Sequence, residues 1–335
     1  MSIFYKKKIK VIKKTVFNCL PYIIVKDKFQ PTNIGSQNQI PPEIYNKNGE
    51  RMKIYYIKDN ETVHTPYSIS AGRYPEKILW DRYNFSLKTH FYSHASIFEN
   101  TYPCDKKIGI LRESEEILPE IFDKAYKQKD VIKTYNKILT YSDKILDKYD
   151  NAVFMPAGSV WYGTEFAGGR LTDTACDNKI KNISMVASAK AMCKLHRVRA
   201  DIARHYKDDN RVDTYGNAVN NHIEKKSDAL ESYRYSIVLE NNVAPYYFTE
   251  KILDCFASMT VPIYLGASKI GEFFNMDGII SLSESDVLDY NTLDKFIDRC
   301  NESDYEARKE AVLDNYNRVQ EYLCYEDYMC KNITI

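Results

Sequence analysis

Short apolar runs alternate with segments of helical spacing from residue 107 onward, and this alternation is the strongest constraint on the fold. The apolar runs lie at 107–111, 137–141, 152–155, 183–187, 211–215, 235–239, 261–265 and 278–282. Helical spacing occurs between them, at 119–126, 143–150, 196–206, 225–233, 249–259 and 269–275. Strands that alternate with helices form parallel sheets with right-handed crossovers. The pattern predicts an α/β fold with two such units in series and a helical stretch over 293–330.

The chain before residue 107 has a different character. Residues 26–50 are polar and contain three prolines, which is typical of a linker. A strand is expected at 52–57, and residues 78–100 are dense in aromatic side chains. We expect a basic lead-in and linker over 1–50, an N-terminal domain over 51–160, a second domain over 161–300 and a C-terminal helical segment over 301–335.

Charge is distributed unevenly along the chain. The 335 residues carry a net charge of +1, but residues 1–30 hold eight lysines and one acid, so the remainder carries −6. Apolar side chains are interleaved with these lysines, among them Ile9, Val11, Ile12 and Phe17. This pattern fits an amphipathic segment on an anionic membrane surface and a basic disordered tail equally well. We expect no nucleic-acid binding.

Neither a membrane-spanning helix nor secretion is expected. The sequence has no run of about 18–20 apolar residues, and its best stretch, 16–25, is interrupted by Asn18 and Pro21. No small-residue cleavage site follows that stretch. The eight cysteines include no C-x-x-C pair, and their scatter is typical of reduced thiols. We therefore expect a cytoplasmic protein, peripheral on the inner membrane face where residues 1–30 bind it.

Common phosphate- and metal-binding motifs do not occur in the sequence. It has no G-x-G-x-x-G, no Walker loop and no D-x-D carboxylate pair. Any phosphate should then be bound by cations and helix N-termini. His90 and His94 could share a helix face as zinc ligands do, but no third ligand lies at suitable spacing. We expect no required metal or cofactor, with Mn²⁺ at most stimulatory.

The segment 235–266 carries the most chemical information. A predicted strand ends at Glu240 and Asn241, and ligands of open α/β sheets bind at the carboxyl ends of strands. Thr249 occupies an N-cap position, with Glu250 and Lys251 in the first helical turn. Free N–H groups beside a lysine bind anions, and a carboxylate suits ribose hydroxyls. A capped helix with surface charges fits the same spacing.

The sequence ENNVAPYYFTEKILDCFASMTVPIYLG (240–266) resembles the donor-binding motif of the family-10 α-1,3/4-fucosyltransferases, in which F-E-N, Y-x-T-E-K and V-P-x-x-x-G follow in order. Upstream, 183–199 is similar to a strand, A-S and an arginine-bearing helix start of that family, and 107–119 to its acidic acceptor-side segment. Residues 80–94 are similar to a segment of bacterial members. The resemblance covers about 76–300. Leu239 and Leu265 depart from it, since Phe and Trp are usual there.

This resemblance implies a GT-B scaffold, in which two Rossmann-like domains face each other across a cleft. It implies inverting transfer of L-fucose from GDP-fucose to an oligosaccharide or glycolipid, with an acceptor of the GlcNAc or LacNAc type on a cell-surface glycan such as lipopolysaccharide O-antigen. A GT-B transferase of another nucleotide-sugar and a non-catalytic sugar-binding relative are the alternatives.

The resemblance also assigns site residues. Glu113, just past the strand 107–111, is expected to be the catalytic base, and Glu115 and Glu116 are its acidic neighbours. The expected donor-binding residues are Ser188, Arg197, Arg199, Glu240, Asn241, Tyr247, Glu250 and Lys251. Of these, Lys251 with Arg197 or Arg199 should bind the phosphates, and Glu250 the ribose. Aromatic rings also stack on sugars, so acceptor contacts are expected from Trp80, Tyr83, Phe91, His90 and His94. For the two histidines, packing beside the neighbouring aromatic residues is the alternative.

Overall fold

A computed structural model describes residues 23–24, 44–59, 68–70 and 72–335. Two short strands, β1 (Ile23–Ile24) and β2 (Ile44–Tyr45), pair antiparallel at the start of the described chain. The predicted membrane contact of residues 1–30 falls almost entirely outside the described residues. Within them, no helix combines the length and apolar character that crossing a bilayer requires.

The N-terminal part of the chain folds into a six-stranded parallel sheet with the order β4-β3-β5-β6-β7-β8. Its strands are β3 (Lys53–Lys58), β4 (Ile78–Asp81), β5 (Thr89–Ser93), β6 (Lys106–Leu111), β7 (Lys137–Thr140) and β8 (Ala152–Phe154). The helices between them are α1 (Pro119–Lys127), α2 (Lys129–Ile132) and α3 (Asp143–Lys148), with a 3₁₀ helix at His94–Phe98. The central strands are apolar and buried on both faces, as parallel strands must be.

The sequence pattern does not indicate β4 and β5, which lie in the aromatic-rich stretch. Both pair with β3, and Asp81 of β4 and His90 of β5 stand opposite the same residue, Tyr56. β5 therefore begins at the level along β3 where β4 ends, on the other side of it. Residues 82–88 are long enough to connect the two strands without a helix. The sequence here therefore lacks the strand–helix alternation that marks the other strands.

A second, five-stranded parallel sheet has the order β10-β9-β11-β12-β13. Its strands are β9 (Lys181–Val186), β10 (Val212–Tyr215), β11 (Tyr233–Leu239), β12 (Val261–Leu265) and β13 (Ile280–Ser281). The helices α4 (Lys194–His205) and α5 (Glu250–Ala257) follow β9 and β11. The predicted α/β architecture of two parallel sheets is confirmed.

Two predicted helices of this half are shorter than expected. The helix predicted over 225–233 is a 3₁₀ turn at Lys226–Ala229, and that predicted over 269–275 is a 3₁₀ turn at Ile270–Glu272. The first cannot extend to 233, because Tyr233 already pairs with Lys181 in the sheet. Further 3₁₀ turns lie at Ala175–Asn178, Met276–Gly278, Asp286–Leu288 and Gln320–Tyr322.

The C-terminal stretch is helical, as predicted, and returns to the N-terminal sheet. Its helices are α6 (Tyr290–Arg299), α7 (Glu302–Ala307), α8 (Lys309–Val319) and α9 (Tyr325–Asn332). Tyr325 and Met329 of α9 belong to the apolar cluster that contains Trp80 and Phe91. Glu326 is fully buried there, and its carboxylate accepts hydrogen bonds from a group of donors: Ser68 Oγ (2.9 Å), Ile69 N (2.5 Å), Ser70 Oγ (2.6 Å) and Trp80 Nε1 (2.8 Å).

Candidate functional site

The carboxyl ends of the two sheets meet around Tyr247, in the loop after β11. Tyr247 is fully buried and packs into the apolar cluster of the N-terminal sheet, with its ring centroid 4.7 Å from that of Tyr141. Burial, followed by the charges of Glu113 and Glu240, raises the pKa of Tyr247 well above its usual value. Tyr247 thus lies within electrostatic reach of both the predicted base and the predicted donor residues, where the ligands of open α/β sheets bind.

Glu113 follows β6 in a loop that is held in place on two sides. Its carboxylate accepts a hydrogen bond from Ser114 N (2.7 Å), and the side chain is half-buried. Its N–H donates to His94 Nε2 (3.0 Å), and its carbonyl accepts from the Tyr141 hydroxyl (3.1 Å). The same hydroxyl accepts from Glu115 N (2.8 Å). The backbone around the predicted base is therefore fixed by side chains from two neighbouring elements.

His94 supports this loop and does not face an acceptor. It is 2% exposed and has a left-handed backbone, with φ of 49°. Its Nε2 accepts the N–H groups of Arg112 (3.3 Å) and Glu113 (3.0 Å), so the ring is neutral and carries its proton on Nδ1, 2.7 Å from Ser93 Oγ. Burial and the charge of Arg112 lower the pKa of His94 to about 3. The predicted acceptor contact of His94 is wrong, because both ring nitrogens are engaged within the fold.

Glu240 ties the end of β11 to the start of α5. It is fully buried, and its carboxylate accepts from Thr249 N (2.8 Å) and the Thr249 hydroxyl (2.7 Å). Lys251 Nζ lies 3.4 Å from it, and Thr249 caps α5 by accepting from Lys251 N (3.4 Å). Burial raises the pKa of Glu240, and the charge of Lys251 opposes that shift. Both carboxylate oxygens are thus engaged, so Glu240 positions Lys251; the expectation that it contacts the donor directly is corrected.

Glu250 and Lys251 form a charged pair at the first turn of α5. Lys251 Nζ lies 3.2 Å from the Glu250 carboxylate. Although burial opposes it, the charges of Lys251 and Lys226 lower the pKa of Glu250 to about 2. Glu250 is therefore an anionic acceptor near neutral pH. Lys226, which the sequence did not single out, is itself held by Asp254 at 2.7 Å.

A close backbone approach brings the connection between the two sheets against α5. A Cβ atom added to Gly158 would lie 2.7 Å from both Glu250 N and Thr249 Cα. Contacts that short do not occur between real Cβ atoms and backbone, so any larger residue would push this segment away from the start of α5. Glycine is therefore required where the two halves touch.

Arg199 and Arg197 are separated by the structure. Arg199 is 7% exposed and its Nη1 donates to the Leu239 carbonyl (2.8 Å) at the end of β11. Burial lowers the pKa of Arg199, while Glu240 and Glu250 oppose that shift. Arg197 is exposed and donates to the Ala191 carbonyl (3.1 Å). Of the two predicted phosphate ligands, the structure brings only Arg199 to the edge that holds Lys251.

Two other polar residues lie at this edge. Asn241, which was predicted, follows β11, and His196, which was not, lies in the first turn of α4. His196 Nδ1 and Asn241 Oδ1 are buried, and the two side chains lie within hydrogen-bonding reach of each other. Ser188 is half-buried just past the end of β9. His196 lies inside the segment 183–199, but the resemblance there concerns other residues, so no sequence signal distinguished it.

The predicted acceptor residues are not brought together. Trp80 and Phe91 are 1% and 0% exposed, and the Trp80 indole donates to Glu326, so these two predictions are wrong. His90 is fully buried in β5 and its ring lies 3.2 Å from the Tyr92 hydroxyl, so its acceptor contact is also wrong. Tyr83 is 85% exposed, and its acceptor contact stays a prediction.

His90 and His94 do not share a helix face either, since His90 lies in a strand and His94 begins a 3₁₀ helix. In the part of the chain that the structure describes, no group of three or more His, Cys, Asp or Glu side chains is arranged to hold a metal ion.

Comparison with known proteins identifies the second half of the chain. Residues 177–308 match the model of the family described as glycosyltransferase family 10 (fucosyltransferase) C-term. The α-(1,3)-fucosyltransferase FucT of Helicobacter pylori is 30% identical over 82 residues, which make up 24% of this chain and 16% of that relative. The match thus spans about one sixth of the relative's length. The resemblance to family 10 is confirmed over residues 177–308, which match the model of its C-terminal part.

Comparison with solved structures finds likenesses at low sequence identity. HepE of Anabaena in complex with UDP and glucose has a TM-score of 0.51 at 8% identity, covering 84% of this chain and 98% of that chain. An α1,3-fucosyltransferase with GDP-fucose has a TM-score of 0.46 at 16% identity, covering 85% of this chain and 91% of that chain. The likeness to HepE concerns the fold alone and agrees with a GT-B arrangement of two domains.

Proposed function

We propose that this chain, whose residues 177–308 carry a family-10 fucosyltransferase domain, is an inverting fucosyltransferase that uses GDP-fucose. The observation that carries the proposal is that match, because it includes Arg199, Glu250 and Lys251 at the edge of the second sheet. The donor edge faces the Glu113 loop of the first sheet through the packed pair Tyr247 and Tyr141. A donor and an acceptor placed between them would lie at the carboxyl ends of both sheets.

Two cations and one carboxylate bind the donor. Arg199 and Lys251 bind the diphosphate and offset the negative charge that grows on the leaving GDP. Glu250, anionic because its pKa is held at about 2, accepts hydrogen bonds from the ribose hydroxyls. Glu240 and Thr249 keep Lys251 in place by their contacts at the start of α5. No step in this scheme requires a metal ion.

Glu113 activates the acceptor. Its carboxylate takes the proton of the acceptor hydroxyl while that oxygen bonds to C1 of fucose. The bond from C1 to the phosphate oxygen breaks on the opposite face, and GDP leaves with the electron pair, so the configuration at C1 inverts. His94 and Tyr141 fix the backbone on which this carboxylate is carried.

The acceptor and the cellular site extend the proposal. We assign as acceptor a hydroxyl of a GlcNAc- or LacNAc-type sugar on a cell-surface glycan, such as lipopolysaccharide O-antigen. We place the enzyme in the cytoplasm, with the lysine-rich residues 1–30 binding the anionic inner face of the membrane. Deletion of residues 1–30 should then reduce binding to anionic vesicles and leave GDP-fucose affinity unchanged.

A transfer assay with labelled GDP-fucose on a glycan array tests the proposal, with and without EDTA. We expect label on a defined set of acceptors, with activity retained in EDTA and an α-linked product. The Glu113→Gln variant supplies the matched control that binds donor without transferring it. Absence of transfer and of donor hydrolysis would indicate a non-catalytic sugar-binding protein. Complete loss in EDTA with recovery in Mn²⁺ would contradict the metal-free mechanism.

A further inference from the structure

A buried carboxylate in the second turn of α5 joins three segments of the chain. Asp254 is fully buried, and its Oδ1 accepts from Trp161 N (2.7 Å) and Tyr162 N (2.8 Å) in the connection between the two sheets. Its Oδ2 lies 2.7 Å from Nζ of Lys226, which is in the 3₁₀ turn that precedes β11. Asp254 therefore holds the connection and Lys226 against the helix that begins at the donor edge.

Lys226 also reaches the first turn of α5. Its Nζ donates to the Glu250 carbonyl (3.4 Å), and the Trp161 ring centroid lies 5.8 Å from the same atom. The Lys226 side chain is 24% exposed, so water screens its charge only in part. Glu250 and Asp254 are four positions apart on α5 and share one face, where two like charges repel each other. The ammonium group of Lys226 lies beside both residues and offsets that repulsion.

The Glu250 carboxylate depends on nearby cations for its negative charge. Burial favours the neutral acid, but the charges of Lys251 and Lys226 lower the pKa of Glu250 to about 2. In the proposed complex the diphosphate shares the charge of Lys251, so Lys226 becomes the more important of the two cations for Glu250. Other charged groups that act on Glu250 are Asp254 on the same helix, Arg199 on α4 and Glu240 after β11.

We propose that Lys226 is a positioning residue for nucleotide recognition: paired with Asp254, it holds the first turn of α5 so that the Glu250 carboxylate accepts hydrogen bonds from the ribose hydroxyls. The inference deepens the function proposed above and rests on it. Lys226 acts through Glu250 and makes no contact with the nucleotide. Its loss should therefore weaken the recognition of the ribose hydroxyls in particular, and the binding of the guanine and the diphosphate much less.

Calorimetric titration of the full chain with GDP and with its dideoxy analogue, which lacks both ribose hydroxyls, tests this proposal. We expect the native chain to bind GDP about 10–100-fold more tightly, because the analogue cannot donate hydrogen bonds to the charged carboxylate. In Lys226→Met this preference for GDP should fall by at least about threefold, and Lys226→Arg, which keeps the charge, should restore most of it. General destabilisation would weaken both ligands alike and leave the preference unchanged.

Lys225→Met is the matched control. Lys225 is the exposed neighbour of Lys226 and donates to the Glu165 carbonyl (2.5 Å), so its loss should leave the preference for GDP unchanged. Where Lys226→Met fails to fold, the double variant Lys226→Met/Asp254→Asn replaces it, because that variant removes both charges and keeps an oxygen for the N–H groups of Trp161 and Tyr162.

A preference that persists in the folded Lys226 variant, or that Lys225→Met reduces as much, would overturn the inference. A native chain that binds both ligands equally would overturn it as well. Absence of GDP binding to the native chain would overturn the proposed function instead.

Discussion

Arg197 and Arg199 lie two positions apart on α4 and face different surroundings. Arg199 is buried against the end of β11, and Arg197 lies in solvent. Residues two apart on a helix do not share a face, so the two arginines have different surroundings, and we expect Arg199 rather than Arg197 to bind the donor phosphates. Burial also deprives Arg199 of water, so a phosphate that binds it replaces solvation the side chain has already lost.

We predict that Arg199→Ala weakens GDP-fucose binding by about 10–100-fold, because a hydrogen bond to a charged group contributes about 1.5–3 kcal/mol. Arg197→Ala should change the affinity by less than about twofold, since exposed charges contribute little. Calorimetry on both variants checks this, with Arg199→Lys as a second variant that keeps the charge. Equal effects of the two alanine substitutions would contradict the assignment.

We predict that Glu113→Gln lowers turnover by about 10²–10⁴-fold while GDP binding is kept. Glutamine retains the size of the side chain and an oxygen that accepts from Ser114 N, but it cannot take the acceptor proton. Initial rates with saturating GDP-fucose and a separate GDP titration provide the measurement. Glu116→Gln, at an exposed neighbour, is the control and should retain activity. Turnover that survives in Glu113→Gln would place the base elsewhere.

Side-chain chemistry alone could not assign every predicted residue. Trp80 is suited both to stacking on a sugar and to filling a core, and the choice depends on Glu326, which is distant in sequence and reaches the indole only in the folded chain. His196 shows the opposite case, since nothing in the sequence marks it and only the folding of α4 against β11 brings it beside Asn241. Lys251 and Glu250 belong to a long ordered motif, which places them at the start of α5.

At the scale of elements, the loop after β6 depends on β5 and β7 for its shape. His94, which follows β5, accepts hydrogen bonds from the N–H groups of Arg112 and Glu113 in this loop. The hydroxyl of Tyr141, which follows β7, donates a hydrogen bond to the Glu113 carbonyl. We predict that His94→Leu lowers kcat by more than about tenfold with little change in the KM for GDP-fucose, because two N–H groups lose their acceptor at about 1–3 kcal/mol each.

His94→Gln should recover part of this loss, since its side-chain oxygen can accept the same N–H groups. Steady-state kinetics on both variants, with the thermal midpoint Tm measured alongside, separates positioning from general destabilisation. If Leu and Gln lower kcat equally, or if KM for the donor rises with Tm unchanged, the positioning role is wrong.

The strands that were predicted correctly are those that a short stretch of neighbouring residues indicates. β6, β11 and β12 are short apolar runs flanked by helical spacing, and each lies within two residues of its predicted bounds. β4 and β5 carry no such signal, because they pair with opposite sides of β3 and need no crossover helix between them. The stretch 225–233 has helical spacing, but its last residue, Tyr233, pairs with Lys181 and so belongs to a strand.

At the scale of the whole molecule, the C-terminal helix α9 joins the end of the chain to the N-terminal sheet. Glu326 joins α9 to the N-terminal part of the chain by hydrogen bonds. Its buried carboxylate accepts three of them from backbone and side-chain groups at 68–70 and one from Trp80. The chain therefore passes through the second domain and closes back on the first. A family motif confined to the second half could not reveal that closure.

We predict that Glu326→Ala lowers Tm by about 5–10 °C, because it leaves several buried donors without an acceptor and removes about 3 kcal/mol. Glu321→Ala is the matched control on the same segment. Glu321 is exposed and, among the described residues, forms an ion pair with Lys331, so its loss should shift Tm by less than about 2 °C. Equal shifts in a thermal unfolding experiment would contradict the role of Glu326.

A panel of nucleotide-sugars tests whether the molecule is a GDP-fucose enzyme. Calorimetric titrations of the full chain with GDP-fucose, GDP-mannose and UDP-galactose compare donors that differ in the sugar and in the base. We predict that GDP-fucose binds most tightly, that GDP-mannose binds more weakly through the shared nucleotide, and that UDP-galactose binds weakest. Tighter binding of UDP-galactose than of GDP-fucose would contradict the account.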